Sequence, residues 1–250
     1  MKGIDVSKHN GNINWKNVKA SGKVDFVILR AGYGKSVTQK DPKFDSYYLG
    51  AKSEDIPVGA YWYSYATTVA EAKQEAEVCI QCLRGKQFEY PIYFDLEEQK
   101  AFATGKKNCS AMVRAFCDAL EAAGYWVGLY ISRSPLQTYI EDDIKTRYAL
   151  WVAEYASKLN YSGEVGMWQY SSKGSISGIP GSVDLDECYC DYPSAIKAGG
   201  KNNFSIPSTP AQPATPTPTT EPEKPTVTKE QKRFTITFDG KTYSGILTEV

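Results

Sequence analysis

The chain has 250 residues, and 29 Lys plus Arg balance 29 Asp plus Glu beside a single histidine, His9. That length holds one large domain or two small ones, and 42% hydrophobic residues are enough for a full core. Zero net charge argues against a nucleic-acid partner, and one histidine excludes a metal site built on several; 18 Tyr, 9 Phe and 5 Trp suggest carboxylate chemistry on a neutral substrate that stacks on rings.

Short apolar runs predict strands near residues 3–6, 25–31, 58–65, 91–97, 126–131, 150–155, 166–170 and 182–185. Helix-capable segments separate the early ones, notably 41–53, 68–84 and 109–123. In the last of these, Met112, Phe116 and Leu120 recur every four residues and make an apolar stripe. Strands alternating with helices predict a parallel sheet, and eight strands predict a TIM-like (β/α) barrel. A full barrel of this kind needs about 250 residues, more than the stretch before residue 200 supplies. The shortage falls at residues 149–186, which must carry three strands, whereas each parallel crossover takes roughly a dozen residues. The expected fold is therefore an irregular α/β barrel whose last strands lack helices and are in part antiparallel.

Three domain segments follow from composition: a catalytic barrel at 1–200, a Pro/Thr-rich linker at 201–230 and a short C-terminal β-hairpin at 231–250. Seven of the thirteen prolines fall between Phe204 and Thr228, a stretch unable to bury apolar surface. Beyond it, Phe234, Ile236 and Phe238 alternate with threonines before an Asp239-Gly240 turn signal. One hairpin is marginal alone, so it is expected to dock, bind cell wall, self-associate, tether the enzyme to a larger partner or belong to a longer parent chain. No run of 18 apolar residues predicts stable membrane insertion, and the N-terminus turns polar too soon for a signal peptide. The six cysteines are expected to be buried, reduced thiols; Cys79-x-x-Cys82 lies in a helical pattern, away from the turn that a redox or zinc motif requires.

The most informative segment is Tyr90-Pro-Ile-Tyr-Phe-Asp-Leu-Glu-Glu-Gln99. Its apolar run reads as a buried strand with acids at the C-terminal end, where parallel barrels place active sites. Side chains alternate along a strand, so Asp95 and Glu97 share a side. Asp5 ends the first predicted strand and Asp184 the last, and these strands are neighbours in a closed barrel. Asp5, Asp95, Glu97 and Asp184 are thus expected at one mouth. Any one strand-end acid is equally well explained as a helix cap; four on one face are not. Crowded carboxylates retain a proton near neutral pH, and a proton-holding acid beside an ionised one is what glycosidic cleavage requires. Two residues of strand rise about 6.6 Å, above the retaining separation and at the lower edge of the inverting one, and rise alone leaves the stereochemical outcome open. A Mg²⁺ or Ca²⁺ site on the four carboxylates and the oxygen-rich Asp184-Leu-Asp186-Glu187 is the weaker alternative. Gly34-Lys35-Ser36 imitates the end of a phosphate-binding loop, but the earlier glycine is replaced by Leu29. No metal or cofactor is expected.

Several segments together resemble glycoside hydrolase family 25: Gly3-Ile-Asp-Val-Ser, Phe26-Val-Ile-Leu-Arg-Ala-Gly-Tyr, Gly59-Ala-Tyr-Trp-Tyr-Ser-Tyr, Tyr90-Pro-Ile-Tyr-Phe-Asp-Leu-Glu, Leu150-Trp-Val-Ala-Glu-Tyr, Met167-Trp-Gln-Tyr and Val183-Asp. The resemblance runs in order from residue 1 to about 193. It implies an N-acetylmuramidase (lysozyme) that cuts the β-1,4 bond between N-acetylmuramic acid and N-acetylglucosamine in bacterial peptidoglycan, on a barrel lacking its last helices. It implies Glu97 as general acid and Asp95 as the group orienting a substrate N-acetyl nucleophile. Asp5 and Asp184 would shape the local field. Sugar faces would stack on Tyr61, Tyr63, Tyr130 and Trp151. Arg30 would bind a substrate carboxylate or pair with one of the acids, and His9 is expected to be a structural loop residue. A wall substrate without a leader fits an endolysin released by lysis; an autolysin exported with removal of its leader is the other option. The rival readings are a related barrel glycosidase acting on chitin or N-glycans, and a non-catalytic wall-binding module. Ile92 and Tyr93 stand where the chitin- and N-glycan-cleaving barrels carry further aspartates.

Overall fold

A computed structural model describes residues 1–206 in full and the backbone of 233–238 and 241–246. The chain forms two units, Met1–Ser208 and Thr209–Val250. In the first, eight strands close a barrel in chain order. They are β1 (Lys2–Val6), β2 (Phe26–Tyr33), β3 (Val58–Tyr63), β4 (Ile92–Asp95), β5 (Val127–Ser132), β6 (Ala149–Ala153), β7 (Met167–Gly174) and β8 (Val183–Cys188). β1 through β7 run parallel, while β8 lies antiparallel to both β7 and β1. The helices are α1 (Trp15–Ala20), α2 (Phe44–Ser53), α3 (Val69–Leu83), α4 (Gln99–Phe102), α5 (Lys106–Ala122), α6 (Arg133–Tyr139), α7 (Asp142–Arg147) and α8 (Tyr192–Ala198). No helix intervenes between β6, β7 and β8, as the shortage of residues requires.

The reversal of β8 corrects one expectation. The sequence reading ends the last strand at Asp184, but the strand begins one residue before it. Because β8 runs backwards, its beginning meets the C-terminal ends of the parallel strands. Asp184 therefore reaches the mouth from the opposite direction.

Strand alternation divides the apolar residues into two cores. Outward positions such as Ile4, Val27, Leu29, Ala60, Trp62, Ile92, Phe94, Leu129, Leu150 and Val152 pack under the helices. The α5 stripe fits this layer: Met112, Phe116 and Leu120 are fully buried, and the Phe116 ring lies 4.6 Å from that of Phe94. Burying one such ring stabilises the fold by roughly 2–3 kcal/mol. Inward positions Phe26, Ile28, Tyr93, Tyr130, Trp151, Met167 and Cys188 fill the barrel, joined by Tyr192 and Ile196 of α8. The filling is tight: a Cβ added to Gly3 would sit 2.2 Å from the Phe26 ring.

The packed unit continues past residue 200. Asn202 is fully buried, donates to the Phe88 and Tyr90 carbonyls at 2.9 Å each and accepts from the Trp126 amide at 2.7 Å. Most of the linker expected at 201–230 lies outside the described residues. In the second unit, β9 (Arg233–Phe238) and β10 (Lys241–Ile246) pair antiparallel, with Lys241 opposite Phe238. The Asp239-Gly240 turn lies outside the described residues. All six cysteines are unpaired; five are buried and Cys190 is exposed, contrary to the expectation for it.

Candidate active site

The same alternation that builds the two cores also builds the site. If Ile4 and Val6 point out from β1, Asp5 points in; if Leu29 and Ala31 point out from β2, Arg30 points in. By the same count Tyr61 and Tyr63 of β3, Asp95 of β4, Tyr130 of β5 and Trp151 of β6 point inward near the C-terminal strand ends. They meet in an open cavity of ≈ 380 Å³ at the barrel mouth, together with Glu97, Asp184, Gln169, Tyr155, His9, Ser7, Asn10 and Ser182. Every site residue expected from sequence lines this cavity.

Four acids face one another across it. Asp5 pairs directly with Asp184 across the β1–β8 ladder. Asp5 is 5% exposed and accepts a 2.7 Å hydrogen bond from Gln169 Nε2. Burial lifts its carboxyl well above the usual range; Asp186, Asp184 and Asp95 add to this, and the Gln169 bond opposes it. Asp95, the last residue of β4, is 3% exposed, and its Oδ1 has no hydrogen-bond partner. Burial and the nearby Glu97 push its carboxyl well up, and the Arg30 cation pulls it down. Glu97 lies past the end of β4, so the 6.6 Å strand rise does not describe its separation from Asp95. It sits at the lip, where partial enclosure, Glu98 and Asp184 raise its carboxyl and the Tyr63 hydroxyl lowers it. Burial also raises Asp184.

The polar side chains are fixed by specific partners. Arg30 Nε lies 2.7 Å from Asp41 Oδ2, and one of its terminal nitrogens is buried without a partner. The arginine thus pairs with an acid outside the expected four. Tyr63 donates to Glu98 at 2.7 Å. Tyr130 donates to Gln169 Oε1 at 2.9 Å. Trp151 is only 1% exposed, so its ring forms floor rather than a stacking face, and its indole N–H is held by Asp186 at 2.9 Å. Tyr65, one step along from Tyr63, lies beyond the strand and outside the cavity. Its ring leans on Tyr63 and Tyr33 instead.

Three features escaped the sequence reading, and a fourth, Asp186, entered it only as an oxygen ligand of the metal alternative. Asp186 is fully buried beside Asp5. Gln169 ties Asp5 to Tyr130 and, at 3.0 Å, to the hydroxyl of Tyr155. Tyr155 is 60% exposed and offers an open ring at the rim. Asp41 anchors Arg30 from the loop after β2. Gln169 and Tyr155 stand in segments that carried the family resemblance, and Asp186 shares a strand face with Asp184, so each had a signal. Asp41 had none. His9 lies exposed on the rim, in the short turn after β1.

A barrel with acids at and just past the end of its fourth strand, facing acids and aromatic walls has the architecture of the barrel glycoside hydrolases. The chain belongs to glycosyl hydrolases family 25, whose profile matches residues 4–179. It is 32% identical over 201 residues to the autolytic lysozyme of Clostridium acetobutylicum, covering 80% of this chain and 58% of that one. Among solved structures it is similar to the modular autolysin LytC from Streptococcus pneumoniae, with a TM-score of 0.67, 32% identity and coverage of 74% of this chain and 46% of that one. The CTP1L endolysin superposes with a TM-score of 0.70 at 26% identity, covering 79% of this chain and 69% of the endolysin. The chain thus spans about half the length of the clostridial and pneumococcal relatives.

Proposed function

We propose that this chain is an N-acetylmuramidase that hydrolyses the β-1,4 bond between N-acetylmuramic acid and N-acetylglucosamine in bacterial peptidoglycan. The observation that carries this reading is the convergence of Asp5, Asp95, Glu97 and Asp184 in one open cavity of a family 25 barrel. Glu97, the acid at the lip, holds a proton and gives it to the leaving glycosidic oxygen. Asp95 accepts the N–H of the substrate's acetamido group and orients its oxygen towards the anomeric carbon. The C–O bond to the leaving sugar breaks as the acetamido oxygen bonds to that carbon, and water then replaces it. Such substrate assistance requires no enzyme carboxylate in contact with the anomeric carbon. Asp5 and Asp184 set the field at Asp95. Tyr61 and Tyr63 offer ring faces and hydroxyls to the sugars, with Tyr130 and Trp151 beneath them. The free guanidinium nitrogen of Arg30 binds an acyl or carboxylate oxygen of the glycan.

The reading places the enzyme's action at the cell wall, in the manner of autolysins and endolysins. Among the described residues no helix is long and apolar enough to cross a membrane. Self-association through the β9–β10 hairpin belongs to the same reading; light scattering on the full chain and on one ending at residue 206 tests it. The activity is tested by digesting purified peptidoglycan and chitin side by side with wild type and Glu97→Gln. New reducing ends from peptidoglycan, lost by about two orders of magnitude or more in the variant, are expected. Reducing ends from chitin alone, or full lysis by the variant, would overturn it.

A further inference from the structure

Glu75 is buried on α3, lies outside the cavity and takes no part in the reaction above. Among the described residues no cation bears on it. A buried carboxyl without a cation costs stability, and an apolar side chain would pack there more cheaply. What the carboxyl supplies is two acceptors side by side. Its Oε2 accepts the Ser64 hydroxyl at 2.6 Å, and its Oε1 accepts the Tyr65 amide at 2.9 Å. The Ser64 hydroxyl oxygen in turn accepts the Ala66 amide at 3.1 Å. One side chain therefore gathers the three residues that leave β3.

Those three residues adjoin the strand that carries the acids. The Ser64 amide donates to the Asp95 carbonyl at 3.0 Å, one step beyond the Tyr63–Asp95 pairing of β3 with β4. β4 is only four residues long and ends at Asp95, with Glu97 two residues further on. On its β5 side the chain is tied at this end by the Leu96 amide, which donates to the Tyr130 carbonyl at 3.0 Å. On its β3 side the Ser64 amide is the last rung. Tyr63 lines the cavity with both acids, and its hydroxyl reaches Glu98. A group that fixes Ser64 thus fixes one of two ties at the end of the acid-bearing strand.

We propose that Glu75 is a positioning residue that clamps the segment from Ser64 to Ala66 and, through the Ser64 amide, holds the acid-bearing end of β4 in register with Tyr63. It touches neither the substrate nor the acids. The chemical demand at position 75 is for a pair of hydrogen bonds, not for charge. Glutamine meets that demand: its carbonyl accepts the Tyr65 amide, and its NH₂ donates to the Ser64 hydroxyl oxygen. Alanine does not.

The turnover readout rests on the muramidase reading; the exchange readout does not. Amide hydrogen exchange in substrate-free wild type and Glu75→Ala follows the Ser64 and Tyr65 amides. The Cys188 amide, bonded to the Met1 carbonyl, serves as the control for global opening. Ser64 and Tyr65 are both expected to exchange at least about tenfold faster in the variant, beyond any change at Cys188. Acceleration at Tyr65 alone, with Ser64 following the control, overturns the proposal. In peptidoglycan hydrolysis, Glu75→Ala is expected to lower kcat about tenfold or more with a smaller change in KM, because displaced acids slow the chemistry. Glu75→Gln is expected to keep kcat within about threefold of wild type. A Gln variant as slow as Ala, or a folded Ala variant as fast as wild type, overturns the proposal. If Ala fails to fold, Ser64→Ala removes the hydroxyl link alone. Its Ser64-position amide should then exchange faster and its kcat fall about threefold; wild-type behaviour in both overturns the clamp. If wild type cleaves no peptidoglycan, the muramidase reading fails while exchange continues to test the clamp.

Discussion

Tyr63 donates its hydroxyl to Glu98 at 2.7 Å, one residue past the proposed acid Glu97. The tyrosine also bears on Glu97, where it lowers the carboxyl that Glu98 raises. A general acid works while protonated, so activity falls as pH rises through its pKa. Burial is the main cause of the raised Glu97 carboxyl, and Glu98→Gln removes a charge that adds to it. The alkaline limb of the pH–rate profile is expected to move down, and the acid limb with it, because Glu98 also raises Asp95. Rates measured on peptidoglycan across the pH range check this.

Arg30 acts on Asp95 in the opposite sense. Its cation favours the ionised carboxylate that the proposed chemistry uses. Arg30→Met removes that help, so Asp95 keeps its proton to higher pH and the acid limb shifts upward. The same change strands Asp41, a buried acid whose ion-pair partner is Arg30. A stability loss of about 3 kcal/mol is therefore expected by urea titration. An unmoved acid limb in folded protein would count against Asp95 as the ionised member.

Glu75 makes a pH prediction away from the site. It is 1% exposed on α3, accepts the Ser64 hydroxyl at 2.6 Å and the Tyr65 amide at 2.9 Å, and burial pushes its carboxyl from 4.5 up to about 7. Between those two values the native chain holds a proton that the unfolded chain has released. Stability therefore falls as pH rises through that window. Glu75→Gln resembles the neutral acid at every pH. It should match wild type near pH 4 and exceed it near pH 8, by about 2–3 kcal/mol. Chemical denaturation at the two pH values gives the comparison.

Asn202 fixes where the folded unit can be cut. Its side chain satisfies two buried carbonyls and one buried amide at the base of the barrel. Asn202→Ala is expected to cost on the order of 3 kcal/mol, because those groups lose their partner without gaining water. A chain ending at Gly200 should melt well below one ending at Ile206. Equal melting temperatures would show that the asparagine is dispensable.

Most of the barrel was legible because alternation and strand-end chemistry are local. Ile92 to Asp95 announces a buried strand with an acid at its end whether or not the rest is known. Strand direction is not local. An alternating pattern reads the same in both directions, so Val183–Cys188 gave its face but not its sense. The missing crossover length showed only that some late strand had to be reversed. The burial of Asp186 was hidden for a related reason: it depends on strands far away in sequence closing around it. Arg30's partner was invisible because Asp41 lies in a loop without periodicity. Trp151 was misjudged because an inward aromatic reads the same whether it forms a floor or an exposed stacking face.

The reversed closing strand also fixes the order in which the molecule becomes complete. Met1 and Cys188 exchange backbone hydrogen bonds across a separation of 187 residues. Contacts of that span form late, after the intervening chain is available to close the loop. During synthesis the acid pair at 95 and 97 therefore emerges long before the wall that faces it. Gln169, Asp184 and Asp186 arrive only with the final strands. A nascent or prematurely terminated chain can carry its proton donor and still lack the charges that tune it.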